Sequence, residues 1–105
     1  MAHDLDARTE PYAGMSVLDD GGAAIGSVSD VIYDYDNGGM DPAWFVVDGG
    51  LMRAEHFVPA DGSYMTAKGQ LVVPFDKKWV RDAPKAPKGH ILTSDLRRQL
   101  AVHYG

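Results

Sequence analysis

Cysteine is absent from the 105-residue chain, which excludes a disulfide scaffold, a thiol nucleophile and any cysteine-ligated zinc or iron–sulfur centre. Long apolar runs are missing too, and nothing approaches the roughly 18 consecutive apolar residues that cross a bilayer. The segment Met1 to Glu10 is polar and acidic where a secretory signal would be basic and then apolar. A cytoplasmic protein without a membrane anchor is the expectation. Basic residues are scarce: 10 Lys and Arg stand against 15 Asp and Glu, for a net charge of −5. The imbalance is uneven, with 3 basic against 12 acidic residues over 1–75 (net −9) and 7 against 3 over 76–105 (net +4). Non-specific nucleic-acid binding over the whole surface needs many phosphate-neutralising cations, so this balance opposes it. Neither Gly-x-Gly-x-x-Gly nor Gly-x-x-x-x-Gly-Lys occurs, so no nucleotide cradle is indicated.

What is present is ordinary globular composition, 45% hydrophobic and 24% charged, enough for one domain with one core. Residues 1–12 lack apolar periodicity and read as a flexible leader. Met15–Leu18 is a short β-prone run, Asp19-Asp-Gly-Gly22 a hairpin turn, and Ala24–Tyr33 the return strand, with Gly26 placed where a bulge or bend would shift the register. Ala43–Val47 is the most strongly β-forming segment, its alternation setting Trp44 and Val46 on one face and Phe45 and Val47 on the other. Leu51–Val58, Tyr64–Thr66 and Gln70–Val73 complete about six short strands, with Pro59 ending one ladder and Pro74 another. Strands this short between regular turn signals predict a mainly β fold, a small antiparallel barrel occupying residues 13–82. Phe75–Arg81 suggests one helical turn or a short strand. Residues 83–92 read as an exposed connector rich in proline and lysine. Residues 93–104 form a helix capped by Thr93 or Ser94, with Leu96, Leu100 and His103 or Tyr104 on one face, expected to pack across a barrel opening.

Candidate chemistry is thin. Asp34 and Asp36 with Gly38 and Gly39 hint at a calcium loop, but the fifth and twelfth ligand positions would fall on Gly38 and Phe45, which supply no ligand. His3, His56, His90 and His103 show no metal spacing and read as structural; alternation turns His56 away from Glu55, and His103 suits a helix C-terminus. Thr93-Ser-Asp95 near His90 lacks a nucleophile elbow. No catalytic, cofactor or metal residue is assigned. Trp44 and Trp79 are candidate partner contacts, tryptophan being enriched at binding hot spots, with core packing as the alternative for each. Lys77, Lys78 and Arg81, together with Lys85 and Lys88, form a basic cluster that is either a partner surface or a solvated face.

The series Gly14-Met-Ser-Val, Gly22-x-x-Ile25-Gly26-x-Val28-x-Asp30-Val31, Trp44-Phe-Val-Val47, His56-Phe-Val-Pro59, Leu71-Val-Val-Pro74 and Ala83-Pro84 resembles the PRC-barrel family over about residues 14–84. Its members include the cytoplasmic domain of the photosynthetic reaction-centre H subunit and the C-terminal domain of a ribosome-maturation factor. The resemblance implies that the glycines and Pro59 turn corners and that Val28, Val46, Val58 and Val72 fill the interior. It also implies a non-catalytic interaction or assembly module. Unpaired strand edges and the opposite charge of the two chain segments point to self-association as a homodimer or higher homo-oligomer, with any other protein partner unidentified. The alternative is an RNA- or ribosome-associated factor; a small-ligand or metal-binding protein ranks behind both, and an enzyme last.

Overall fold

The structure, a computed structural model, describes residues 11–33, 41–50 and 54–105. The leader through Glu10, His3, the Asp34–Gly39 loop and the start of the Leu51–Val58 strand lie outside the described residues. The elements run β1 (Ser16–Leu18), β2 (Ala24–Tyr33), β3 (Pro42–Asp48), β4 (Glu55–Pro59), β5 (Tyr64–Met65), β6 (Leu71–Val72), α1 (Lys77–Arg81) and α2 (Ser94–Tyr104). The strands form a single sheet in the order β4-β3-β2-β1-β6-β5.

Two expectations about this sheet are corrected. It is mixed, because β1 pairs with β6 in parallel while the other neighbours are antiparallel. It also remains open: β4 and β5 stand at opposite ends of the sheet, and among the described residues no pairing joins them into a barrel. Closure requires strands long enough to tilt and stagger around an axis. β5 and β6 have two residues each, roughly 7 Å of strand, which is too little to reach the far edge.

The β1–β2 turn is held by the Asp19 carboxylate, which accepts from the N–H groups of Gly21 and Ala23 at 2.9 and 2.8 Å, and by Gly22 at φ 90°. The same carboxylate accepts from Lys77 N–H at 3.2 Å, tying the turn to the start of α1. The backbone N–H of Ala23, foremost among these donors, draws the Asp19 pKa below its ordinary value although burial opposes it. A register shift opposite Val17 and Leu18 marks the bulge at the Gly26 end of β2. There the end of β3 crosses so closely that a Cβ on Gly26 would lie 2.0 Å from the Asp48 carbonyl oxygen.

Alternation along β3 divides the apolar side chains between two layers. Phe45 and Val47 join Val17, Val28, Val58 and Leu71 in the main core, which α1 caps with Val80. Val46 turns to the opposite face and packs with Phe57 and Leu100, with Trp44 and Leu96 against them. Val46 is therefore removed from the interior set implied by the resemblance, and Val72 is only half-buried. The helix α2 covers this second face of β3 and β4 instead of a barrel opening. Its N-cap is Thr93, whose hydroxyl accepts from Leu96 N–H at 3.1 Å. Near its end the Tyr104 hydroxyl donates to the Phe57 carbonyl at 2.8 Å, and burial pushes that phenol pKa well up.

Residues 83–89, expected as an exposed connector, are partly absorbed into the fold. Ala83 is buried, Lys85 makes an antiparallel bridge to His56 on β4, and Ala86 N–H donates to the Glu55 carbonyl at 2.8 Å. The segment thus covers part of the β4 edge. Tyr12, expected in the leader, packs its ring 5.2 Å from Phe45. Among the described residues no helix is long and apolar enough to cross a membrane.

Candidate interaction surface

The five residues singled out as partner contacts do not form one site. Trp44 lies on β3, half-buried beneath α2, with its ring edge-on to Phe57 at 6.3 Å. It serves the second core. Trp79 sits on α1 and is 48% exposed, enough to leave one ring face for a partner. Its other neighbour is His103 of α2, stacked at 4.7 Å and 20°, whose Nε2 donates to the Trp79 carbonyl at 2.7 Å. Lys78 and Arg81 are exposed beside it and Lys77 is half-buried, giving a basic, aromatic-centred face on α1.

A second surface lies where closure would have occurred. A cleft of about 550 Å³ runs between β3 and β5, with Tyr12, Phe45 and Leu71 among its apolar walls and Asp41 and Asp61 among its polar ones. Tyr64 and Met65 of the edge strand β5 line it and are 61% and 55% exposed. No residue pattern along the chain points to this cleft, because it exists only if the sheet stays open.

Sequence reasoning also missed a charged cluster. His90, held at φ 56°, a backbone region few side chains other than glycine adopt, places Nδ1 2.9 Å from Asp30 Oδ2 and Nε2 2.9 Å from Glu55 Oε1. Ser29 Oγ donates to Glu55 Oε2. With a carboxylate at both ring nitrogens, the imidazolium is the matching form, since a neutral ring would turn a lone pair on one of them. Burial alone would lower the His90 pKa, but the Glu55 and Asp30 carboxylates outweigh it and the net shift is upward. The Ser29 hydroxyl, followed by His90, draws Glu55 below its ordinary value. The arrangement lacks the serine–imidazole contact of a nucleophilic triad: Ser29 donates to Glu55 and not to His90. It acts as a clip, fastening the segment after Pro87 to β2 and β4.

The clip's sign with pH is fixed. A raised His90 pKa contributes stability that is full below its unfolded value near 6.5 and is lost as pH rises through the folded value. A lowered Glu55 pKa contributes above its unfolded value near 4.5 and is lost as pH falls through the folded value. The clip is strongest between the two. With Asp30 and Glu55 side chains 34% and 31% exposed, screening limits its worth to about 1 kcal/mol. Thermal melts of the protein and His90→Asn are therefore expected to differ most at about pH 5–6 and to converge toward pH 8 and above. A constant difference across that range would refute the clip.

Among the described residues no group of three or more His, Cys, Asp or Glu side chains is set to hold a metal. A comparison with curated proteins finds no match. A family model described as PRC-barrel domain matches residues 11–80, the stretch that contains all six strands and most of α1. With two thirds of its length matched and its six-stranded sheet in place, the chain belongs to the PRC-barrel domain family.

Proposed function

We propose that the protein is a non-catalytic assembly module that binds a second copy of itself head to tail, the basic α1 face of one copy entering the acidic cleft of the next. Family membership supports an interaction or assembly role. The observation that carries the choice of partner is the segregation of charge. Lys77, Lys78 and Arg81 share α1 with exposed Trp79, between the exposed caps Asp76 and Asp82, whereas Asp41 and Asp61 border exposed Tyr64 and Met65 on another surface. An exposed aromatic flanked by cations and an apolar cleft bordered by carboxylates are complementary in sign. Such a contact is heterologous, so it propagates into rings or chains.

Light scattering tests this. The mass is expected to rise with concentration at about 0.01 M salt, where screening extends ~30 Å, and to fall toward the monomer at about 1 M, where it extends ~3 Å. Trp79→Ala and the triple reversal of Lys77, Lys78 and Arg81 to Glu are each expected to weaken association by about tenfold or more, the scale of an interface hot spot. A strict monomer at high micromolar concentration in low salt overturns the proposal. If the same basic face instead retards RNA at low salt, and the triple reversal abolishes that retardation, the face is a nucleic-acid surface.

A further inference from the structure

Between α1 and α2 the chain returns along the outer edge of β4, and little backbone pairing holds it there. Among the described residues its ties to β4 are the Ala86 N–H, which donates to the Glu55 carbonyl at 2.8 Å, and an isolated bridge between Lys85 and His56. Lys85, Pro87, Lys88 and Gly89 are exposed, and Ala86 adds one half-buried methyl to the second core. The flanks are fixed far better. Ala83 is buried and its N–H donates to the Val80 carbonyl at 3.2 Å, while α2 is anchored by the fully buried Leu100.

The remaining hold comes from His90. It closes a tight turn in which its N–H donates to the Pro87 carbonyl at 2.9 Å and Gly89 takes φ 87°. Its own φ of 56° is a strained conformation that persists only where the surroundings over-determine it. Among the described residues the charged groups that bear on its ring are the Asp30 carboxylate from β2 and the Glu55 carboxylate from β4. Each lies 2.9 Å from a ring nitrogen. Only a ring that donates from both nitrogens satisfies the two. A neutral ring has one donor and turns a lone pair toward the second carboxylate, so that contact becomes repulsive while the backbone strain remains.

We propose that residues 85–90 form a strap latched by the His90 imidazolium, and that the strap lifts from β4 when the ring loses its proton while the sheet, α1 and α2 stay in place. Lifting frees the Glu55 carbonyl and uncovers the β4 end of the sheet, an edge that the closed strap protects. Closure is strongest between two limits. The raised His90 pKa makes it most favourable below the open value near 6.5 and weakens it as pH rises through the closed value. The lowered Glu55 pKa weakens it at the other end, as pH falls through that carboxyl's closed value.

Amide exchange on the full chain, expressed as protection relative to the unstructured rate at each pH, reads the strap through Ala86 N–H and the core through Val73 N–H, which donates to the Leu18 carbonyl at 3.0 Å. Ala86 is expected to be less protected than Val73 and indifferent to sub-denaturing urea that speeds Val73, the mark of a local opening. Its protection is expected to fall severalfold between about pH 6 and about pH 8.5, across the histidine range. His90→Asn, a residue type that tolerates the same backbone conformation, is expected to leave Ala86 poorly protected at both pH values. Asp30→Asn separates charge from shape. Its amide oxygen can still accept from Val31 N–H, as Asp30 Oδ1 does at 2.8 Å, and its NH2 donates to the neutral ring, so the strap is expected to stay closed at both pH values. Three results overturn the proposal: Ala86 and Val73 equally protected and equally sensitive to urea, an Ala86 protection that does not change with pH, or an Asp30→Asn protein that keeps the parent's pH step.

Discussion

Gly26→Ala is expected to cost about 3 kcal/mol or more, the upper range for forcing atoms into a filled site. The added Cβ would stand 2.0 Å from the Asp48 carbonyl oxygen and 2.8 Å from its carbon, both backbone atoms that cannot rotate aside. The β2–β3 ladder pairs Ser27 with Asp48 at this point, so relief means pulling the last pairs apart. Alanine restricts the unfolded chain and would gain back only about 0.4–1 kcal/mol. The clash wins. Against a total stability of about 5–15 kcal/mol, and at about 4–8 °C per kcal/mol, the midpoint should fall by more than 10 °C. Gly22→Ala is the control. Its φ of 90° strains an alanine, but no atom lies within 4 Å of the new Cβ, so the cost there is about 1–2 kcal/mol of backbone conformation alone. A Gly26→Ala protein as stable as the parent would show that β2 and β3 do not cross so closely.

Gly26 also shows what could be read from the chain without its structure. Glycine in an otherwise β-forming run signals a bulge or a close backbone approach, and both occur there. The two-faced alternation of β3 was legible because side-chain alternation is local, whereas β2 was legible from its β-prone residues between turn signals, its buried Ile25, Val28 and Val31 falling three apart. The partner of a strand is not local. Nothing in Val17 or Leu71 says that β1 and β6 align in parallel, because any apolar, β-prone edge would satisfy either direction. The interior set held for Val28 and Val58 and missed Val46 for the same reason. Val46 is as apolar as Val28, and only the docking of α2 makes its face a second core.

The candidate sites were hidden by distance along the chain. Asp30 and His90 are 60 residues apart, and Glu55 and His90 are 35 apart. No spacing rule joins them; the join depends on the Ala83–Ala86 stretch returning along β4. His56 was correctly turned from Glu55 by alternation, yet its unpaired Nδ1 depends on what the opposite side offers. The exposed Trp79 and the half-buried Trp44 carried equal weight in the sequence. What separates them is that α2 packs over Trp44's side of the sheet and meets Trp79 through a stacked His103 that leaves it 48% exposed.

Phe57→Ala should be the costliest truncation beneath α2, about 3–5 kcal/mol, with Leu100→Ala at about 2–5 kcal/mol. Both side chains are fully buried and share one small cluster with Val46. The Phe57 ring also holds Trp44 edge-on, and its carbonyl receives the Tyr104 hydroxyl. Removing the ring leaves a cavity that the sheet, rigid in its ladder, cannot fill by collapse. Because the two truncations open the same space, their costs should not add: the double variant is expected to fall short of the sum by about 0.5–3 kcal/mol. Denaturant melts of the four proteins measure this directly. Strict additivity would mean that α2 does not rest on Phe57, and the face of β3 and β4 assigned to it would have to be covered by something else.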